Sequence, residues 1–157
     1  MEMQSHRLPH EGGYAVFDFL RTYHGKPFHL EDHVKRLHHS AEMVGIEIPQ
    51  SEENIINIVH EVIEKNNNKE FNIRLIVTGG DSSDSVTPDG KPRLIVMLSP
   101  IKIYPPWWYS DGVKIITCSI ERSLPGVKST NYISGIIAQQ SAREQGAVEA
   151  IYLDRKG

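Results

Sequence analysis

The sequence predicts an α+β fold: a small two-layer domain of helices on a sheet, then the opening of a second domain. Three observations predict it. Strand-like and helix-periodic runs follow one another as β-β-α-α-β-β and then β-α-β, the first a pattern of packed layers, the second a crossover unit. A chain of 157 residues, 39% apolar and 24% charged, has enough for one domain with a real core, or for a small domain plus part of another. Between the two patterns, Ile101 to Gly112 carries two prolines and Trp107-Trp108 with no clean period, as an interdomain connection would. The expected division is 1–100, a connection at 101–112, and 113–157.

The first run, Tyr14 to Tyr23, mixes aromatic and β-branched residues and reads as a strand. His24-Gly25-Lys26-Pro27 is a turn, and Phe28 to Leu30 would return as the second arm of a hairpin. Glu31 to Val44 places Val34, Leu37, Ala41 and Val44 at helical spacing, with Gly45 to stop it. Pro49-Gln50-Ser51-Glu52-Glu53 is a helix start with a capping serine and two acids in the first turn. Ile55, Ile58, Val59, Val62 and Ile63 form that helix's apolar face, and Asn66 to Asn68 end it. Phe71 to Thr78 and Arg93 to Ser99 read as strands. The Gly, Ser, Asp and Pro of Gly79 to Pro92 mark a mobile loop between them. Beyond the connection come a strand (Val113 to Ser119), a helix (about Thr130 to Gln145, closed by Gly146) and a strand (Val148 to Leu153).

Bulk properties narrow the function. A net charge of −3, with Lys and Arg scattered, gives no electrostatic reason to expect nucleic acid or an anionic membrane. No apolar run approaches the ~20 residues of a membrane span, and Met1 to Gly13 is polar without a signal-peptide core. Cys118 is the one cysteine, inside a strand pattern, so a small hydrophobe in a reducing cytoplasm is expected. The eight histidines raise a metal reading through His29 and His33, four apart. His29 precedes the helix start and no cysteine supports the pair, so no metal is expected. Gly90-Lys91 is followed by proline and forms no phosphate loop.

The candidate for chemistry is Lys128, in Leu124-Pro125-Gly126-Val127-Lys128-Ser129-Thr130-Asn131-Tyr132. It follows a Pro-Gly turn and precedes an apolar, helix-periodic run. An amine so held can be desolvated and attack a carbonyl carbon to form a Schiff base; on spacing alone it can equally be a solvated side chain. Arg36 can be a phosphate ligand or a surface arginine laid along its helix. Tyr132, four residues after Lys128 and placed in the first helical turn, would return to the lysine's face.

Several ordered blocks carry a resemblance. Gly12-Gly13-Tyr14-Ala15-Val16-Phe17-Asp18-Phe19-Leu20-Arg21 with Gly25-Lys26-Pro27-Phe28 comes first, and Leu30-Glu31-Asp32-His33-Val34-Lys35-Arg36-Leu37-His38-His39-Ser40-Ala41 second. Asn72-Ile73-Arg74-Leu75-Ile76-Val77 and Lys128-Ser129-Thr130-Asn131-Tyr132 follow, and Glu149-Ala150-Ile151-Tyr152-Leu153-Asp154 to Gly157 closes. Together they resemble the class IV (fold type IV) pyridoxal-phosphate-dependent aminotransferases, which include branched-chain and D-amino-acid aminotransferases and 4-amino-4-deoxychorismate lyase. The resemblance implies pyridoxal 5′-phosphate as cofactor, Lys128 as its Schiff-base lysine and Arg36 of the His-x-x-Arg-Leu motif as its phosphate ligand. It implies Tyr132 and Asn131 near the cofactor and Arg74 for a substrate carboxylate, though Arg74 also fits a half-exposed strand arginine. Amino acid and 2-oxo acid substrates and a homodimer are implied as well, and 113–157 becomes the beginning of the cofactor-binding domain.

The sequence departs from that pattern in three places. Pro9-His10-Glu11-Gly12 stands where a tyrosine-containing stretch often contributes to the substrate pocket. The Lys-x-x-Asn spacing is one residue shorter than in branched-chain members and is closer to the D-amino-acid enzymes and the lyase. The family continues into a Val-Thr-Glu-like block past the position of Gly157, so a fragment, a truncated product or a chain completed by self-association is expected. Three functions stay open: amino transfer, elimination of pyruvate by a lyase, and a non-catalytic piece acting as a dimerisation module.

Overall fold

The computed structural model describes residues 13–67, 69–84 and 86–155. Pro9 to Gly12, Asn68 and the last two residues of the closing block lie outside the described residues. Two compact units form: residues up to Ile101 together with Gly126–Thr130, and Lys102–Pro125 together with Asn131 onward.

The first unit is a four-stranded antiparallel sheet with two helices. Strand β1 (Ala15–Tyr23) alternates, and Val16, Asp18, Leu20 and Thr22 of one face are all at most 3% exposed. His24 and Gly25 both take positive φ (52° and 73°), the backbone of a tight two-residue hairpin turn. The return strand β2 is Lys26–Pro27, not the expected run through Phe28 to Leu30. His29 adopts the left-handed conformation and swings the chain out of the sheet, so Leu30 already opens helix α1 (Leu30–Met43). Helix α2 (Glu52–Lys65) starts where Ser51 Oγ accepts the Asn54 N–H at 3.2 Å, as the capping pattern predicts.

Strands β3 (Phe71–Thr78) and β4 (Arg93–Pro100) complete the sheet in the order β2-β1-β3-β4. Ile73, Leu75 and Val77 turn one face of β3 inward, against Val34, Leu37 and Ala41 of α1 and Ile55, Val59 and Ile63 of α2. That core fixes the register, because a one-residue slip would carry Asn72 and Arg74 into it. Tyr14 bonds through its hydroxyl to the Val44 carbonyl and lies so close to Gly79 that a Cβ there would overlap the ring. The loop from Gly79 to Pro92, expected to be mobile, is tied internally. Asp84 Oδ1 accepts the N–H groups of Val86 and Thr87 (2.8 and 2.6 Å), and those bonds hold its carboxyl well below the usual carboxylate range. Asp81 pairs with Arg93 at 2.7 Å.

The second unit begins with a four-residue helix, α3 (Trp107–Ser110), within the stretch that lacked a period. Tyr104 stacks on Trp108, and the two tryptophans meet edge to face. Strand β5 (Ile115–Ser119), helix α4 (Ile133–Glu144) and strand β6 (Glu149–Leu153) follow, with β5 and β6 parallel. A parallel pair needs a crossover, and α4 supplies it. Gly146, at φ 67°, follows the end of α4 as expected. The helix begins three residues later than Thr130, because residues 128–130 are drawn into pairing with β1. No described helix is long and apolar enough to cross a membrane.

Candidate active site

The site grows from the edge of β1 left open beyond the short strand β2. Residues 128–130 lie along that edge, with Ser129 bridged to Val16: Phe17 N–H donates to the Lys128 carbonyl, and Thr130 N–H to the Ala15 carbonyl, both at 2.9 Å. Thr130 Oγ1 adds a bond to the Gly13 carbonyl at 2.9 Å. The Lys128 N–H turns instead to Ser40 Oγ of α1 at 3.2 Å. Lys128 Nζ lies over the Phe17 ring, 4.6 Å from its centroid.

The neighbouring residue of β1 carries the second group. Asp18 is fully buried on the core face, where a carboxylate is tolerated only if saturated with donors. Arg36 supplies two, Nε at 2.7 Å to Oδ2 and Nη2 at 2.8 Å to Oδ1. His33 Nδ1 and the Phe19 N–H each reach Oδ1 at 2.7 Å. Four donors converge on this carboxylate, three on Oδ1 and one on Oδ2. His33 Nδ1 also lies 3.1 Å from Arg36 Nη2, and one ring nitrogen cannot donate to Asp18 while accepting from Arg36. The shorter contact assigns its hydrogen to Asp18. Burial raises the Asp18 carboxyl, but the bonds from Arg36, His33 and Phe19 outweigh it and hold the group below its ordinary value. In return Asp18 raises the Arg36 guanidinium. The Arg36 side chain remains half exposed (52%), and its Nη1 has no hydrogen bond among the described residues.

Arg74 projects from the opposite face of the sheet, paired across the ladder with Phe19 and Met97. Its guanidinium sits 5.5 Å from the Phe17 ring and 5.7 Å from the Phe19 ring. Phe17 is therefore shared by the Lys128 amine and the Arg74 guanidinium, while Asp18 holds Arg36. Lys128, Arg36 and Arg74 all belong to the first unit.

Asn131 and Tyr132 belong to the second unit, both exposed. The expectation that Tyr132 returns to the lysine's face by a helical turn is corrected: Tyr132 is the N-cap of α4, and Lys128 lies four residues ahead of it, outside any helix and next to the Ser129 bridge to β1. His29 and His33, read as a possible metal pair, go to separate carboxylates, Asp32 at 2.9 Å and Asp18. Sequence reasoning passed over Asp18 and Ser40. Asp18 had a visible signal, a carboxylate at the same strand parity as Val16 and Leu20.

The fold is that of the class IV aminotransferases, and the comparisons with known proteins show the family. The model of the amino-transferase class IV family matches residues 15–157, so the chain belongs to that family. A Methanocaldococcus jannaschii protein assigned as a branched-chain-amino-acid aminotransferase is 37% identical over 152 residues, covering 92% of this chain and 52% of its own length. The crystal structure of the Escherichia coli branched-chain amino acid aminotransferase superposes with a TM-score of 0.85 at 29% identity, over 97% of this chain and 55% of that one. A Legionella pneumophila structure assigned as a 4-amino-4-deoxychorismate lyase gives 0.77 at 27% identity, over 92% and 54%. The chain spans about half the length of the relatives it matches.

Proposed function

We propose that this chain supplies the lysine-bearing part of a pyridoxal-phosphate-dependent class IV aminotransferase, which moves an amino group between an amino acid and a 2-oxo acid. The observation that carries the proposal is the pairing of Lys128 and Arg36 with adjacent residues of β1, Phe17 and Asp18. The donor set fits the cofactor. An aldehyde phosphate asks for a primary amine and a fixed cation; Lys128 offers the first, and the Nη1 edge of Arg36 the second.

When bound, pyridoxal phosphate supplies an electron sink for the bond broken at the substrate Cα. Lys128 would hold it and would take the proton from the substrate Cα. Arg36, aimed by Asp18, holds the phosphate. Arg74, steadied against Phe17 and Phe19, takes the substrate carboxylate. Asn131 and Tyr132 border the cofactor, the protein works as a homodimer in the cytoplasm, and residues 113–157, less the 126–130 segment that belongs to the first unit, open its cofactor-binding domain.

Borohydride reduction of the intact protein with cofactor, followed by peptide mass spectrometry, tests the lysine. A pyridoxyl group on Lys128 and loss of the visible absorption in Lys128→Ala are expected. Survival of that absorption in the variant, or an adduct on another lysine, sinks the assignment. The lyase reading is favoured by the likeness to the Legionella structure. A 2-oxo-acid-dependent amine transfer assay separates the two, since a pure lyase shows no transfer.

A further inference from the structure

The geometry points to Ser40 as a positioning residue for Lys128, a role that rests on the proposed function of the lysine. Ser40 is a polar residue buried to 1% on the core side of α1, among Leu37 and Ala41. Its Oγ accepts the Lys128 N–H from 88 residues away.

The pairing along β1 shows why that bond matters. Val16 faces Ser129, with the bonds from Phe17 N–H to Lys128 and from Thr130 N–H to Ala15 on either side. An unbroken antiparallel ladder would continue by sending the Lys128 N–H back to the Phe17 carbonyl. Ser40 takes that N–H instead. It ends the pairing at Lys128 and sets the plane of the peptide bond entering the residue. The direction of the Cα–Cβ bond, and so the volume its amine can sweep, follows from that plane. Val127, 2% exposed, anchors the segment just upstream in the same core.

Helix α1 therefore carries two jobs on one stripe. Arg36 and Ser40 are four residues apart, neighbours on a helix surface at about 5–6 Å. Arg36 is fixed through Asp18, and Ser40 fixes the lysine's backbone. The rigid helix sets the distance between the proposed phosphate contact and the root of the lysine side chain.

The test uses the intact protein. Borohydride trapping of pyridoxal phosphate on Lys128 is followed over time in the unmodified protein, Ser40→Ala and the nearly isosteric but weakly accepting Ser40→Cys. Both variants are expected to trap about tenfold more slowly, the worth of one buried hydrogen bond. Non-covalent affinity for pyridoxine phosphate, which has no aldehyde, should not change. Equal trapping rates in all three overturn the role of Ser40 while leaving Lys128 in place. Absence of any Lys128 adduct in the unmodified protein overturns the function of the lysine, and the role of Ser40 with it. If the variants do not fold, amide exchange in the unmodified protein decides: the Lys128 N–H must exchange more slowly than that of exposed Gly126, and equal rates refute the bond.

Discussion

Replacing Asp18 by asparagine tests the buried cluster directly. The substitution keeps the shape and removes one acceptor oxygen and the charge. If the amide oxygen takes the place of Oδ1, it still receives Phe19 N–H, His33 and Arg36 Nη2, and the new amide nitrogen then faces Arg36 Nε, donor against donor. One bond to a charged group is lost outright, at about 1.5–3 kcal/mol, and the others weaken. Breaking a fully buried pair costs about 3–5 kcal/mol, but Arg36 is half exposed and water recovers part of its loss, so we expect about 2–3 kcal/mol. In urea that lowers the unfolding midpoint by about 1 M, for a slope of about 2 kcal/mol per M. The pH dependence supplies the second reading. Because the folded carboxyl lies below its ordinary value, its contribution is complete above about pH 4 and is lost as the pH falls through the lowered value. As the pH falls below about 4, the unmodified protein should lose stability more steeply than Asp18→Asn. A stability loss under about 0.5 kcal/mol, with parallel pH profiles, refutes the account of Asp18 as a buried anion held by its donors.

Two further outcomes follow from the same geometry. Arg36→Leu should weaken binding of pyridoxal phosphate by about 10- to 100-fold and leave binding of pyridoxal, which lacks the phosphate, unchanged; equal losses for both ligands would remove Arg36 from the phosphate. Ser51→Ala should cost about 1 kcal/mol in denaturant unfolding by removing the α2 cap, and an unchanged midpoint would show that the Asn54 N–H finds an equivalent partner.

What the sequence disclosed depended on how local each signal was. The α2 start was legible because Ser51 and the first-turn acids act within one turn, and β3 because its alternation is self-contained. β2 was overestimated because His29 leaves the sheet in a left-handed conformation that non-glycine residues rarely adopt. The start of α4 was placed three residues early for a different reason. Residues 128–130 satisfy their backbone against β1, more than 100 residues away in sequence, and no local pattern records that. The family blocks pointed to Lys128, Arg36 and Arg74. Of the residues that hold them, Phe17 and Ser40 became visible only when strand and helix were brought together, while Asp18 showed its strand parity but not its partners. Asp18 read as one more strand residue because its ionic partners lie 15 and 18 residues on, across a turn and into a helix.

The bonds that seat Lys128 also fix when the site can exist. They close loops of 88 to 117 residues, and closure entropy rises so slowly with length that the span itself differs by only about 0.3 kcal/mol between those two. Timing matters more than that difference. A ribosome delivers the chain N-terminus first, so β1 to β4 and both helices of the first unit can pack while Lys128 has yet to be made. Until then the β1 edge stands unpaired, a template for any extended segment that reaches it. The lysine segment is both the last piece of that unit and its edge guard. A nascent chain halted before Thr130 would keep its core and lose its protection against pairing with its neighbours.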